Sequence, residues 1–169
     1  MQCTSAEAAK MIRQLKEELR LIIQRETLNS VFCAAVGEDP ETLRPPYDYG
    51  ETQKQIREIQ ARIRKIKHAL NLFNSSQKVD DMTIDEVLVY LPQLQELRDK
   101  LARMSGRSPK QRANAYHGFG KLSTVIDYEY ANYDISTVED DYRKVCLEIG
   151  RLQGALDLVN STVMMEVDL

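Results

Sequence analysis

The segment from Arg103 to Lys121 concentrates the side chains best suited to chemistry. Arg103, Arg107, Lys110, Arg112 and Lys121 are cationic, and no acidic residue lies among them. Tyr116, His117 and Phe119 fall in the same stretch, beside Gly118 and Gly120. Glycines let backbone amides converge on an anion, and aromatic rings stack on a base or face a cation. Arg107, Lys110, Arg112, Tyr116, His117 and Phe119 are therefore the candidate ligand-binding residues, for a nucleotide or another small anion. A solvated connection between helices explains the same composition. Nucleic acid is a poor fit, because the net charge is -3 and no extended basic face accompanies the segment.

A second cluster, Glu139, Asp140 and Asp141, stands at the start of a helical pattern. Carboxylates there interact favourably with the helix dipole. A hydrolase using them as acid and base is the remote alternative. The two histidines, His68 and His117, and the three cysteines, Cys3, Cys33 and Cys146, show no metal-site spacing. Neither a metal nor a cofactor is expected. No Gly-Lys-Ser/Thr phosphate loop, Gly-x-Ser-x-Gly or His-Glu-x-x-His is present, so the chain reads as a non-enzyme.

The elements that must carry these residues are helices. With 43% hydrophobic and 29% charged residues among 169, the chain can build one core-bearing domain, 1–169. Seven glycines and five prolines favour long helices over a turn-rich sandwich. No apolar run is long enough to span a bilayer, and the N-terminal stretch alternates apolar and charged residues, unlike a signal peptide. An odd cysteine count without close pairs fits a reducing compartment. The expected location is the cytoplasm, without membrane contact.

Thr4 and Glu7, Thr83 and Glu86, and Ser136 and Glu139 each have capping-box spacing. Ala8, Met11, Ile12, Leu15, Leu19, Ile22 and Ile23 form the first apolar stripe. Tyr49, Thr52, Ile56, Ile59, Ile63, Ile66, Leu70 and Phe73 form the second, in heptad steps. Its flank is basic, through Lys54, Arg57, Arg62, Arg64, Lys65 and Lys67, with Arg57 placed to pair with Glu58. Val87, Leu91, Leu94, Leu97, Leu101 and Met104 form the third, with a kink or restart expected at Pro92. Tyr142, Val145, Ile149, Leu152, Leu156 and Val159 form the fourth. Leu28 to Val36, the alternating Leu122 to Ala131 and the alternating Val163 to Leu169 read as short extended stretches.

An internal repeat runs at an offset of 86. Across 47–76 against 133–162, identity holds at Tyr47, Asp48, Arg57, Ile63, Ala69, Leu70, Leu72, Asn74 and Ser75. Heptads alone explain the aliphatic matches but not the paired Tyr-Asp starts and Asn-Ser ends. The expectation is an all-α fold: a four-helix antiparallel bundle from two duplicated helix hairpins, units 1–76 and 83–162, with a minor β element. The extended stretches 28–36 and 122–131 would occupy equivalent places and pair. Asn74 and Asn160 would end their helices in the left-handed conformation. Gly150 and Gly154, four apart, would permit a close helix approach.

An alanine-rich first helix (Ala6-Glu7-Ala8), a helix ending at Asn74, Arg98-Asp99 on the third helix, a tyrosine-rich extended segment and a last helix ending at Asn160 occur in that order. In this the chain resembles a family of small bacterial helical proteins automatically labelled septicolysin. The resemblance covers most of the chain. It implies a shared fold and transfers no active residues, and no amphipathic β-hairpin or apolar helix supports a cytolysin. The leading functional expectation is a structural or interaction protein of bacterial or phage origin that self-associates into a homo-oligomer through its amphipathic helices. The runner-up is an oligomeric protein that binds or sequesters a nucleotide or similar anion, with a possible place in phage defence.

Overall fold

The computed structural model describes residues 1–112 and 127–168. Five helices and short strands among these residues make a mainly α protein. Helix α1 (Ser5–Asn29) and helix α4 (Ile84–Ser105) both begin in capping boxes. The Glu7 amide donates to Thr4 Oγ1 at 3.2 Å while Glu7 Oε2 accepts from the Thr4 amide at 2.9 Å. Thr83 and Glu86 repeat the arrangement at 3.3 and 2.6 Å. Each box satisfies two amides that the helix leaves without partners.

The third expected box does not form. Helix α5 (Ile135–Thr162) begins before Ser136. Asp134 caps it, its carboxylate accepting from the amides of Ser136 and Thr137, each at 3.2 Å. The same carboxylate takes the hydroxyls of both residues. One carboxylate has more acceptor sites than the Ser136 hydroxyl offers, so it wins the cap. Helix α3 (Tyr49–Ser76) starts the same way, with Asp48 accepting from the Glu51 amide at 3.0 Å. The repeated Tyr-Asp pairs therefore mark two acidic caps.

Asn74 and Asn160 are not left-handed caps. Both lie within the last turns of α3 and α5, and the residue after α3, Gln77, is extended at φ -81°. The left-handed conformation falls instead to Asp80, φ 54°, in the turn between β2 (Lys78–Val79) and β3 (Met82–Thr83). Pro92 does not restart α4, which runs unbroken through it. The proline removes one intrahelical hydrogen bond, and buried Leu91 and Leu94 on either side keep the helix seated.

Leu28 to Val36 is not a strand. Leu28 and Asn29 end α1, and Val31 and Val36 are exposed with no strand edge beside them. Pro40 opens the short helix α2 (Pro40–Leu43), where its missing amide costs nothing. Tyr47 ties the return of this connection to α1, its hydroxyl donating to Glu26 Oε1 at 2.8 Å.

The described residues fall into two compact units. The first contains Met1–Lys78 and Asp157–Leu169. Here α1 packs along α3, and strand β1 (Gln2–Thr4) pairs antiparallel with β6 (Met164–Glu166), placing Cys3 opposite Met165. Ala8, Ile12, Leu15, Ile59, Ile66, Phe73 and Met165 are its core. These are the predicted stripes of the first two long helices, closed by a strand pair that joins both ends of the chain.

The second unit is Val79–Leu156. Ile84, Val87, Leu91, Leu94 and Leu101 of α4, with Val138, Ile149, Leu152 and Leu156 of α5, are buried. Strands β4 (Lys110–Arg112) and β5 (Tyr128–Tyr130) pair antiparallel between the two helices in sequence. The Tyr133 hydroxyl donates to the Met104 carbonyl at 2.9 Å. Tyr133 thus ties back to the preceding helix as Tyr47 does, 86 positions earlier. None of the described helices is long and apolar enough to cross a membrane.

Candidate functional site

Three places could carry chemistry: the basic segment singled out by sequence, the acidic cluster, and a cleft formed by folding. Of the six candidate residues, the structure places three. Tyr116, His117 and Phe119 lie outside the described residues. Arg107 is exposed in the turn after α4, its amide donating to the Met104 carbonyl at 3.2 Å. Lys110 and Arg112 lie on β4, so part of the expected irregular loop is a strand. Its partner, β5, is the described part of the tyrosine-rich extended stretch.

Register decides what this arm presents. Lys110 stands opposite Tyr130 and Arg112 opposite Tyr128. Side chains alternate between faces along a strand. One face therefore carries Lys110, Arg112, Tyr128 and Tyr130, and the other carries Gln111 and Glu129. Lys110 Nζ sits 4.2 Å from the centre of the Tyr128 ring and 5.3 Å from that of Tyr130. On the opposite face Gln111 Nε2 donates to Glu129 Oε2 at 2.8 Å. The base of the arm is fixed by the Ala131 amide, which donates to the Pro109 carbonyl at 3.1 Å. The result is an exposed face of two cations and two phenol rings. It can meet an anion and stack a flat group, and it carries no nucleophile with a base beside it.

The acidic cluster is engaged locally. Asp140 pairs with Arg143 at 3.0 Å, Asp141 with Lys144 at 2.9 Å, and Glu139 with Arg143 at 3.6 Å. All are one-turn pairs at the surface, where solvent screens them. The acidic group that stands out electrostatically is Asp134, held down to about 2 by the hydroxyls and amides of Thr137 and Ser136. Among the described residues no three His, Cys, Asp or Glu side chains are grouped to hold a metal.

Among the described residues the basic flank of α3 is almost unpaired. Lys54 meets Glu51 at 3.9 Å, but Arg57 does not pair with Glu58. Neighbouring positions on a helix do not face each other, so such a pair is not favoured by helix geometry.

Sequence reasoning missed a cleft of about 450 Å³ in the first unit. Lys65, His68, Leu72 and Phe73 of α3 form one wall, and Met164, Glu166 and Asp168 form the other. The alternation of Val163, Met165 and Val167 signals the strand. Nothing local signals that it would lie beside α3.

No family model matches the chain, and no curated protein matches it. Among solved structures, one that is similar is a functionally unknown conserved protein from Corynebacterium diphtheriae. It shares 14% identity, with 98% of this chain and 100% of that chain covered, at a TM-score of 0.63. At that identity the likeness concerns the fold alone.

Proposed function

We propose that this chain is a non-enzymatic protein that self-associates through outward apolar positions of its long helices. The observation that carries the reading is on α5. Leu147 is 75% exposed, on the side of the helix away from the buried Ile149, Leu152 and Leu156. Gly150 and Gly154 share that side, and a side chain added at either would meet nothing within 4 Å. Among the described residues, the close approach expected at these glycines is therefore not used. In the first unit, Leu21 and Leu28 repeat the theme one heptad apart on α1, 41% and 70% exposed. Apolar side chains spaced along one helix face suit a second helix, because burying them together removes them from water.

In the same proposal the two hairpins arose by duplication and the four long helices form an antiparallel bundle. Support comes from two constant offsets. The Thr4 box maps onto the Thr83 box at 79, and the Asp48 cap maps onto the Asp134 cap at 86. The likeness to the septicolysin-labelled family remains part of the reading and supplies no activity.

Native mass spectrometry tests self-association. The expected result is an oligomer that Leu147→Glu dissociates. A strictly monomeric wild-type protein at high concentration overturns the reading.

A second reading rests on Lys110 held between Tyr128 and Tyr130, with Arg112 on the same face. It is binding of a nucleotide or similar flat anion. Arg107→Ala with Arg112→Ala should then abolish retention of the ligand, and full retention removes this site.

A further inference from the structure

The cleft between α3 and β6 has an ordered distribution of chemistry. Both walls carry apolar side chains, Leu72 and Phe73 on α3 and Met164 on β6, with Leu72 59% and Met164 53% exposed. Lys65 and His68 stand on the helix side, and Glu166 and Asp168 on the strand side. Among the described residues none of these four side chains has an ion-pair or hydrogen-bond partner. Opposite charges therefore flank an apolar surface without neutralising each other.

The other half of the repeat makes this informative. The offset of 86 maps Lys65 onto Arg151 and Glu166 onto Asp80. In the second unit Arg151 donates to Asp80 and also to Glu148, at 2.8 Å for the latter. The guanidinium is engaged through three of its nitrogens, and its pKa is raised by those two carboxylates. At the equivalent positions of the first unit the cation and anion are kept apart, with a cleft of about 450 Å³ beside them. That volume is in the range of small-molecule sites, roughly 300–1,000 Å³.

We propose that this cleft binds a small zwitterion with apolar side chains, of about dipeptide size. Its carboxylate faces Lys65 and His68, its ammonium faces Glu166 and Asp168, and its side chains cover Leu72, Phe73 and Met164. Complementary charges at the two ends fix the orientation. Covering these apolar side chains supplies the hydrophobic contribution. A purely anionic ligand would leave Glu166 and Asp168 repelling it, and a purely cationic one would meet Lys65. The inference is independent of self-association and of the β4–β5 arm.

The test is NMR titration of the full chain with L-leucyl-L-leucine, its N-acetyl derivative and its C-terminal amide. Dipeptide should shift the amides of Leu72, Phe73, Met164, Met165 and Glu166 saturably, with a Kd of roughly 0.1–1 mM. Each derivative, lacking one charge, should bind about tenfold more weakly, since it leaves one charged wall unpaired. Lys65→Ala should bind dipeptide and amide alike, and Glu166→Gln should narrow the difference between dipeptide and N-acetyl form. Both positions are exposed, and unchanged circular dichroism identifies folded variants. No saturable shift, equal binding of all three compounds, or concentration-dependent shifts in the same residues without added dipeptide would each overturn the proposal. The last would put a second copy of the chain in the cleft.

Discussion

The Ser5 hydroxyl donates to Asn160 at both the side-chain oxygen, 2.7 Å, and the backbone carbonyl, 3.2 Å. A residue in the first turn of α1 is thereby locked to the last turn of α5, beside the β1–β6 pair. Ser5 is 5% exposed and the contact is part-buried, so water screens it less than a surface contact.

Ser5→Ala removes the only donor of this contact and leaves the Asn160 side-chain oxygen facing an alkyl group. The expected cost is about 1–2 kcal/mol of stability. Urea unfolding should show a lower midpoint with an unchanged slope. A midpoint equal to that of the wild type would mean that the contact contributes nothing net.

Asp134 gives a defined pH dependence. Its carboxyl lies at about 2 in the folded chain against an ordinary 3.8, lowered first by the Thr137 and Ser136 hydroxyls. Between those values the unfolded chain binds more protons than the folded one. Its contribution is therefore complete above about pH 4 and lost as the pH falls towards about 2. Asp134→Asn should flatten the decline of melting temperature in that window. An identical slope in wild type and variant contradicts the cap assignment.

Lys110 and the two tyrosines should be visible spectroscopically. Protons on the Lys110 side chain are expected upfield of their ordinary shifts because they lie over the Tyr128 ring. Tyr128→Ala should return them most of the way, and Tyr130→Ala less, following the 4.2 and 5.3 Å separations. Ordinary Lys110 shifts in the wild type would remove the aromatic face as a preformed site.

Gly150 and Gly154 separate packing from association. Because nothing lies within 4 Å of an added Cβ, Gly154→Ala should stabilise the monomer by about 0.5–1 kcal/mol through helix propensity. Larger side chains at the same position should leave the monomer folded and weaken self-association. Thermal melts and sedimentation velocity distinguish the two effects. A destabilised Gly154→Ala monomer would show that this side of α5 is already covered.

Helix starts were legible where capping depends on three or four adjacent residues. Thr4 with Glu7 and Thr83 with Glu86 behave as their spacing requires. The apolar stripes were legible too, because burial on one side of a helix imposes its own period: Ile12 and Leu15 are buried, and Leu91 and Leu94 repeat them. Local competition defeated the third box, since Asp134 outbids Ser136 as an acceptor. Asn160 was misread as a cap because its partner, Ser5, lies at the opposite end of the chain.

The sequence by itself determined a mainly helical chain, the capping boxes of α1 and α4 and the buried faces, since each follows from interactions within a turn or two. Only the tertiary structure decided the strand pairs and the candidate sites. Lys110 meets Tyr128 through cross-strand register, and Lys65 shares a cleft with Glu166 across a hundred residues of chain. Such contacts depend on how distant segments close upon one another, and no local pattern of residue types encodes that closure.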